Sequence, residues 1–286
     1  MQLGDRSRDE SDLDSSAPPQ PVAKSNTSYR ATLAGACILA LGGCAVFPVR
    51  PESPWRTAVV GMVAVVVVAC ALILRSPASI RASAFIGTLF GCFAVGIHFG
   101  WPPAITTALV CVLPLGCLLI VGRRPSLGAA APWLRRGSIT PEIFWLGLVT
   151  VVLGGVALVV WALIVRPEPA EYLSGLQRLP LWLAILGTVA FALVNPIWEE
   201  MLFRGVLLTE LASVWGTRAA VVLQAMLFGA AHSAGFPSGI AGMVMAMSWG
   251  FVLGVIRARS GGILITYLVH VTANAVIGVL AVLILV

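Results

Sequence analysis

Two adjacent acids and an arginine interrupt the apolar stretch from Asn195 to Gly205. Glu200 and Arg204 are four residues apart, the spacing at which an acid and a base meet on one face of a helix. Neighbouring residues on a helix point about 100° apart, so Glu199 faces another direction and has no partner at this spacing. Charged groups at membrane depth are costly unless they are paired or functional. We therefore interpret Glu200 and Arg204 as a supporting ion pair and Glu199 as the reactive acid.

Two of the three histidines lie in apolar runs further along the chain, and each has a motif partner four positions away. His232 follows Phe228 and Asn274 follows His270, so each pair shares a helix face. With a rise of about 1.5 Å per residue, Glu199 and His232 lie about 20 Å from one membrane surface, His270 about 12 Å and Asn274 about 18 Å. We expect the four polar groups to meet in one layer inside the membrane.

This set of groups is suited to hydrolysis. A glutamate with a histidine beside it can take a proton from water, and a second histidine and an asparagine amide can donate to a developing oxyanion. Glu199, His232 and His270 could instead hold a zinc ion with an open position for water. The His-Glu-x-x-His signature of zinc proteases is absent from the sequence. Spacing alone leaves both mechanisms open.

The elements that position these groups are predicted to be membrane-spanning helices. The 286 residues are 59% hydrophobic and 10% charged, with a mean hydropathy of +0.97, whereas soluble domains are about a quarter charged. Apolar runs of about 20 residues can each span a bilayer as a helix, and the alternation typical of barrel strands is absent. The fold class is therefore all-α, a polytopic transmembrane helix bundle with eight to nine spans. The nine candidate spans cover residues 31–49, 57–74, 82–99, 104–121, 142–165, 181–214, 218–234, 239–256 and 262–286.

The net charge of +6 comes almost wholly from arginine. The distribution of these arginines along the chain predicts which loops lie in the cytoplasm. Residues 1–28 are polar and predict a disordered tail, with no cleavable signal peptide. With this N-terminus in the cytoplasm, most basic residues face the cytoplasm, as the positive-inside rule favours. Nine spans would then place the C-terminus outside, and one re-entrant span would reverse that end. The basic residues predicted to be cytoplasmic are Arg6, Arg8, Lys24, Arg30, Arg75, Arg81, Arg123, Arg124, Arg135, Arg136, Arg218, Arg257 and Arg259.

Other compositional features exclude some functions. No basic cluster is interleaved with exposed aromatic residues, so no nucleic-acid partner is expected. The six cysteines lie in apolar runs of the first half, form no Cys-x-x-Cys motif, and are interpreted as packing residues.

The motifs Glu199-Glu200-x-x-x-Arg204, Phe228-x-x-x-His232 and His270-x-x-x-Asn274 occur in this order. Together they resemble the CPBP family of intramembrane proteases, which includes CAAX prenyl endopeptidases of type II and bacteriocin-processing or immunity proteins (the Abi family). The resemblance covers residues 142–286, the expected protease domain. Residues 29–141 form a four-span region that lies outside it.

The resemblance implies a role for each motif residue. Glu199 would activate water with the help of His232, while His270 and Asn274 would stabilise the oxyanion. Glu200 and Arg204 would support the site, and Phe228 would pack within it. The family is often labelled metalloprotease, although a glutamate mechanism without a required metal is argued for its eukaryotic-type members. The resemblance therefore favours the mechanism without a required cofactor, with zinc as the alternative.

We therefore expect an endopeptidase that cleaves a membrane-associated peptide or protein within or near the lipid bilayer. Abundant alanine, valine, glycine and arginine with a single lysine, Lys24, favour a bacterial cytoplasmic membrane, where prenylated substrates are not expected. One alternative is a non-catalytic immunity or scaffold protein of the same fold. A less favoured alternative is an ion- or proton-coupled transporter, because intramembrane Glu and His residues also form relays.

Overall fold

Helices account for nearly all of the described chain. The computed structural model describes residues 24–128, 132–165, 180–233, 237 and 239–285. Most of the predicted tail, and most of the segment between the fifth and sixth predicted spans, lie outside these residues. The α-helices are α1 (Lys24–Ala45), α2 (Pro54–Leu74), α3 (Pro77–His98), α4 (Pro103–Gly122), α5 (Pro141–Val165), α6 (Leu181–Glu200), α7 (Leu208–Trp215), α8 (Thr217–Ala231), α9 (Gly239–Ser260) and α10 (Leu264–Leu285).

The helices match the predicted spans closely. Five of them, α2 to α5 and α9, are long and apolar enough to cross a membrane, as is the continuous stretch Leu181–Trp215. Shorter apolar helices cover Tyr29–Ala45, Thr217–Ala231 and Leu264–Leu280. No strand occurs among the described residues. The all-α class is confirmed, and the chain is a multi-pass membrane protein.

Three of the first four helices begin at a proline: Pro54, Pro77 and Pro103. Proline is favoured at the first helical position because its missing N–H would have no partner there. This explains why α3 begins at Pro77 rather than at residue 82, as the sequence predicted. Arg81 is consequently a buried residue of the helix and not part of a loop.

The stretch around the acidic motif contains an irregular segment. Helix α6 includes Pro196 and runs to Glu200. Met201–Leu207 then form a π-helical segment, in which the N–H of Leu208 donates to the carbonyl of Phe203. Seven buried residues make up this segment, including Arg204. Such segments are rare and are often found at functional sites.

The first four helices and the remainder of the chain share one core. Helix α1 packs against α3 and α7, and α3 also packs against α7. Fully buried residues from both parts of the chain join one cluster, for example Ile38, Phe85, Leu207 and Leu211. Helices α8 and α9 pack closely, α6 packs on α10, and α5 packs on α9 and α10. These contacts bring the ends of α6 and α8 and the middle of α10 around a common space.

Small residues permit the closest helix contacts. A Cβ atom at Gly278 of α10 would collide with the side chain of Thr188 on α6. A Cβ atom at Gly229 of α8 would lie 2.8 Å from the carbonyl oxygen of Met243 on α9. Small residues at such crossings allow helices in membranes to approach closely. These glycines therefore fix the spacing of the helices that hold the polar groups.

Candidate active site

The predicted polar residues come together from four elements. The last turns of α6 provide Asn195, Glu199 and Glu200, and the π segment provides Arg204. His232 follows α8, and α10 provides His270 and Asn274.

Glu200 is the centre of a buried ionic group. Its Oε1 accepts hydrogen bonds from Nη1 of Arg204 at 2.9 Å and from Nδ1 of His270 at 2.8 Å. The exposed fractions are 1% for Glu200, 0% for Arg204 and 4% for His270. The predicted Glu200–Arg204 pair is confirmed. Its contact with His270, which lies 70 residues further along the chain, was not predicted.

The same ionic group contains polar atoms that lack partners. Oε2 of Glu200, and Nε and Nη2 of Arg204, have no hydrogen-bond partner among the described residues. Buried polar atoms in proteins are generally satisfied by protein groups or ordered water. The group is therefore suited to holding bound water deep in the helix bundle.

Glu199 does have a local partner, contrary to the sequence interpretation. Nδ2 of Asn195 donates to Oε1 of Glu199 at 2.7 Å, across one turn of α6. Oε2 of Glu199 lies 3.5 Å from Nε2 of His270. His270 thus stands between the two glutamates, with one ring nitrogen directed to each. The four-residue spacing of Asn195 and Glu199 was the signal that could have revealed this contact.

His232 lies at the end of α8 rather than within a span. Its backbone N–H donates to the carbonyl of Gly229 in a tighter turn that ends the helix. Its Nδ1 is 2.8 Å from the carbonyl oxygen of Phe228, which can only accept a hydrogen bond, so Nδ1 carries the proton. In the neutral ring, Nε2 is then an acceptor. The side chain satisfies one of the carbonyls that a helix end leaves open.

Asn274 presents an amide donor without a protein partner. The residue is 4% exposed, and its Nδ2 has no hydrogen-bond partner among the described residues. Asn274 is one turn of α10 beyond His270, so the two side chains lie on the same face. A buried donor of this kind is suited to bind a ligand oxygen, since leaving it unpaired is costly.

Phe228 packs between the ionic group and His232. The guanidinium carbon of Arg204 is 4.4 Å from the centre of the Phe228 ring, a distance at which a cation interacts favourably with an aromatic face. The same ring centre is 4.6 Å from that of His232 and 4.9 Å from that of Phe203. Phe228 therefore holds Arg204 and His232 in fixed relative positions.

Glu199, His232, His270 and Asn274 all line one cavity of about 1030 Å³. Most of its wall is apolar and comes from α1, α3, α5, α6, α9 and α10. A mostly apolar cavity with a few convergent polar groups is typical of ligand and active sites. The cavity is large enough for several residues of an apolar peptide.

The arrangement does not form a metal site as it stands. No group of three or more His, Cys, Asp or Glu side chains within the described residues is placed to hold a metal ion. Nδ1 of His232 contacts a backbone carbonyl and Nδ1 of His270 contacts Glu200. The three residues considered for zinc from sequence are Glu199, His232 and His270, and they are not gathered into such a group. Nε2 of His270 lies 3.5 Å from Glu199, whereas His232 contacts the carbonyl of Phe228.

Comparison with known proteins supports the resemblance stated from the motifs. The family model described as "Type II CAAX prenyl endopeptidase Rce1-like" matches residues 180–276, about a third of the chain. This range contains all three motifs and begins at the start of α6. The match is consistent with a CPBP-type intramembrane protease. Searches of curated proteins and of solved structures give no significant match.

Proposed function

We propose, starting from the Rce1-like domain at residues 180–276, that this protein is an intramembrane endopeptidase. Its substrate is an apolar, membrane-associated peptide or protein. The observation that supports this proposal best is the cavity itself. Glu199 and Asn274 both line it, and Nδ2 of Asn274 is buried without a partner among the described residues. A carboxylate able to accept a proton and a donor without a partner are the two groups that peptide hydrolysis requires.

In the proposed reaction, Glu199 and Nε2 of His232 hold a water molecule against the scissile carbonyl. Glu199 takes one proton as the water oxygen forms a bond to the carbonyl carbon, and the carbonyl electron pair moves to its oxygen. When this intermediate collapses, the C–N bond breaks. The proton held by Glu199 passes to the leaving amine, so that atoms and charge balance.

Asn274 and His270 are proposed to stabilise the oxyanion of the intermediate. Nδ2 of Asn274 is available as a donor, and Nε2 of His270 donates when the ring carries two protons. The ring of His270 lies between the two glutamates, with Nδ1 at 2.8 Å from Glu200 and Nε2 at 3.5 Å from Glu199, and these contacts hold it in place.

Zinc is not required in this proposal. Chelation therefore separates the two mechanisms that the sequence left open. Purified protein in vesicles is expected to keep its cleavage activity after exhaustive treatment with a chelator. Activity that is lost on chelation and regained with zinc would contradict the glutamate mechanism without contradicting the protease.

A proteomic comparison tests the proposed function without a known substrate. Membranes of cells with the wild-type protein are compared with membranes of cells with Glu199→Gln, at equal levels of the two proteins. We expect at least one membrane-associated peptide to be longer in the variant. Identical peptide lengths in both membranes would contradict the protease and favour a non-catalytic binding protein.

A further inference from the structure

The wall of the cavity beside Glu199 is formed partly by α3, which lies outside the residues matched by the family. Phe90, Phe93 and Ile97 of α3 line the cavity. Their spacing of three and four residues places them on one face of the helix. The first four helices therefore supply part of the lining of the active-site cavity.

Phe93 joins this face of α3 to the acidic motif. The centres of the Phe93 and Trp198 rings are 5.2 Å apart, with an angle of 75° between the rings. This edge-to-face arrangement is a favourable geometry for aromatic pairs. Trp198 directly precedes Glu199, and its ring, like that of Phe93, lines the cavity. Glu199 lines the same cavity, so the aromatic pair and the reactive carboxylate face one common space.

We propose that Phe93 and Trp198, with Phe90 and Ile97, form the subsite that binds the substrate side chain next to the scissile bond, and that Phe93 limits its size. This inference rests on the proposed protease function. A peptide whose scissile carbonyl lies at Glu199 occupies the cavity that this wall borders, and a neighbouring side chain can reach the wall. All four residues are apolar, so the subsite selects an apolar side chain, because a charged one would be desolvated without a partner.

The size limit follows from the packing of the wall. Phe90 is buried, and Phe93 is held by Trp198. Removing the Phe93 ring would enlarge the subsite without removing any polar group of the site. A change of this kind in an apolar pocket alters selectivity by about 10- to 200-fold for each methylene-sized difference.

Selectivity is measured with synthetic apolar peptides whose central residues are randomised. The peptides are reconstituted with purified protein in phosphatidylethanolamine–phosphatidylglycerol vesicles, and the products are identified by mass spectrometry. For Phe93→Ala we expect the preference next to the cut to move towards larger apolar residues by about tenfold or more. Phe93→Leu, a milder variant, is expected to shift it in the same direction by less. Unchanged selectivity in both variants would overturn the proposal.

Two other phenylalanines, Phe85 of α3 and Phe99 directly after its end, serve as matched controls. Phe99 is 76% exposed and Phe85 is 1% exposed, and neither lines the cavity. Phe99→Ala is expected to leave both abundance and selectivity unchanged. Phe85→Ala is expected to lower abundance through loss of core packing and to leave selectivity unchanged. A shift in selectivity for Phe85→Ala as large as that for Phe93→Ala would contradict a local subsite.

Photo-crosslinking tests the contact independently of cleavage. A benzophenone amino acid replaces Phe93 or, as a control, Phe99, in a chain that also carries Glu199→Gln. We expect the same peptides to crosslink at position 93 and not at position 99. Crosslinking at 93 without cleavage by the wild-type protein would contradict the protease but retain the binding wall. Cleavage by the wild type without crosslinking at 93 would overturn the subsite alone.

Discussion

Glu199 and Glu200 are adjacent in the sequence, yet their side chains have different surroundings. Glu200 is buried against Arg204 and His270, whereas Glu199 lines the cavity and contacts Asn195. The difference follows from the rotation of about 100° between neighbouring helix residues. One acid is therefore suited to hold the site together and the other to act on a substrate.

Replacing Glu200 is expected to affect folding first. In Glu200→Gln, Arg204 would remain buried without its charge partner, which typically costs about 3–5 kcal/mol. We expect a strong fall in abundance and in thermal stability in detergent. Replacing the pair with apolar residues of similar size, Glu200→Leu with Arg204→Met, is expected to recover abundance but not activity. Wild-type stability of the single variant would contradict this role for Glu200.

Replacing Asn274 is expected to affect the reaction first. Asn274→Ala removes the buried donor that faces the cavity, and loss of one oxyanion donor typically lowers the rate by about 10²–10³. The control is Thr272→Ala on the same helix, whose exposed hydroxyl donates to the carbonyl of Leu268. Cleavage rates are compared at equal protein levels. A rate for Asn274→Ala similar to that of Thr272→Ala would argue against Asn274 as an oxyanion donor.

At the scale of helices, a second buried ion pair joins the first four helices to the region that the family model matches. Nε and Nη2 of Arg81 on α3 donate to the two carboxylate oxygens of Glu210 on α7, at 2.8 and 2.6 Å. Nε1 of Trp133 also donates to Glu210, at 3.0 Å, and Nη1 of Arg81 donates to the carbonyl of Leu127. Bidentate pairs of this kind fix geometry as well as adding energy. The cluster holds α3, and with it Phe93, against the acidic stretch.

Breaking this cluster is expected to destabilise the whole bundle. In Arg81→Ala, Glu210 would be buried without its charge partner, and such changes typically cost about 3–5 kcal/mol. The matched control is Arg259→Ala, which removes an exposed ion pair with Glu142. Exposed pairs contribute little, so the control is expected to unfold at the wild-type temperature. Equal unfolding temperatures for the two variants would contradict the role of the Arg81–Glu210 pair.

The sequence predicted the helices better than the contacts between them. Apolar runs define spans directly, and the four-residue spacings identified the Glu200–Arg204 pair. The contacts of His270 with Glu200, Arg81 with Glu210 and Phe93 with Trp198 join residues far apart in the chain. Such contacts depend on how the helices pack against one another. The periodicity of apolar residues within a single helix does not determine that packing. The π segment was missed because its composition does not differ from that of an apolar α-helix.

At the scale of the whole molecule, the described contacts place several basic residues at one end of the bundle. The Arg81–Glu210 pair joins the start of α3 to the start of α7, and the Arg259–Glu142 pair joins the end of α9 to the start of α5. Arg123 and Arg218 flank helix ends on the same side. We expect this end to face the cytoplasm, because basic loops are retained there.

Labelling of single cysteines checks this orientation. In a background without the six native cysteines, Ser126→Cys lies at the arginine-rich end and Glu52→Cys at the opposite end. A membrane-impermeant maleimide added to intact cells is expected to label position 52 and not position 126. Labelling of position 126 alone would show that the orientation is the reverse of the predicted one.

The most direct test of the central claim is the cleavage rate of Glu199→Gln, measured in vesicles with the randomised apolar peptides. Glutamine preserves the shape of the side chain but cannot take a proton from water, and a general base typically contributes about 10²–10⁴ to the rate. At wild-type abundance, we predict that cleavage falls by at least about a hundredfold. A rate within a few-fold of the wild type would contradict the assignment of Glu199 as the water-activating residue.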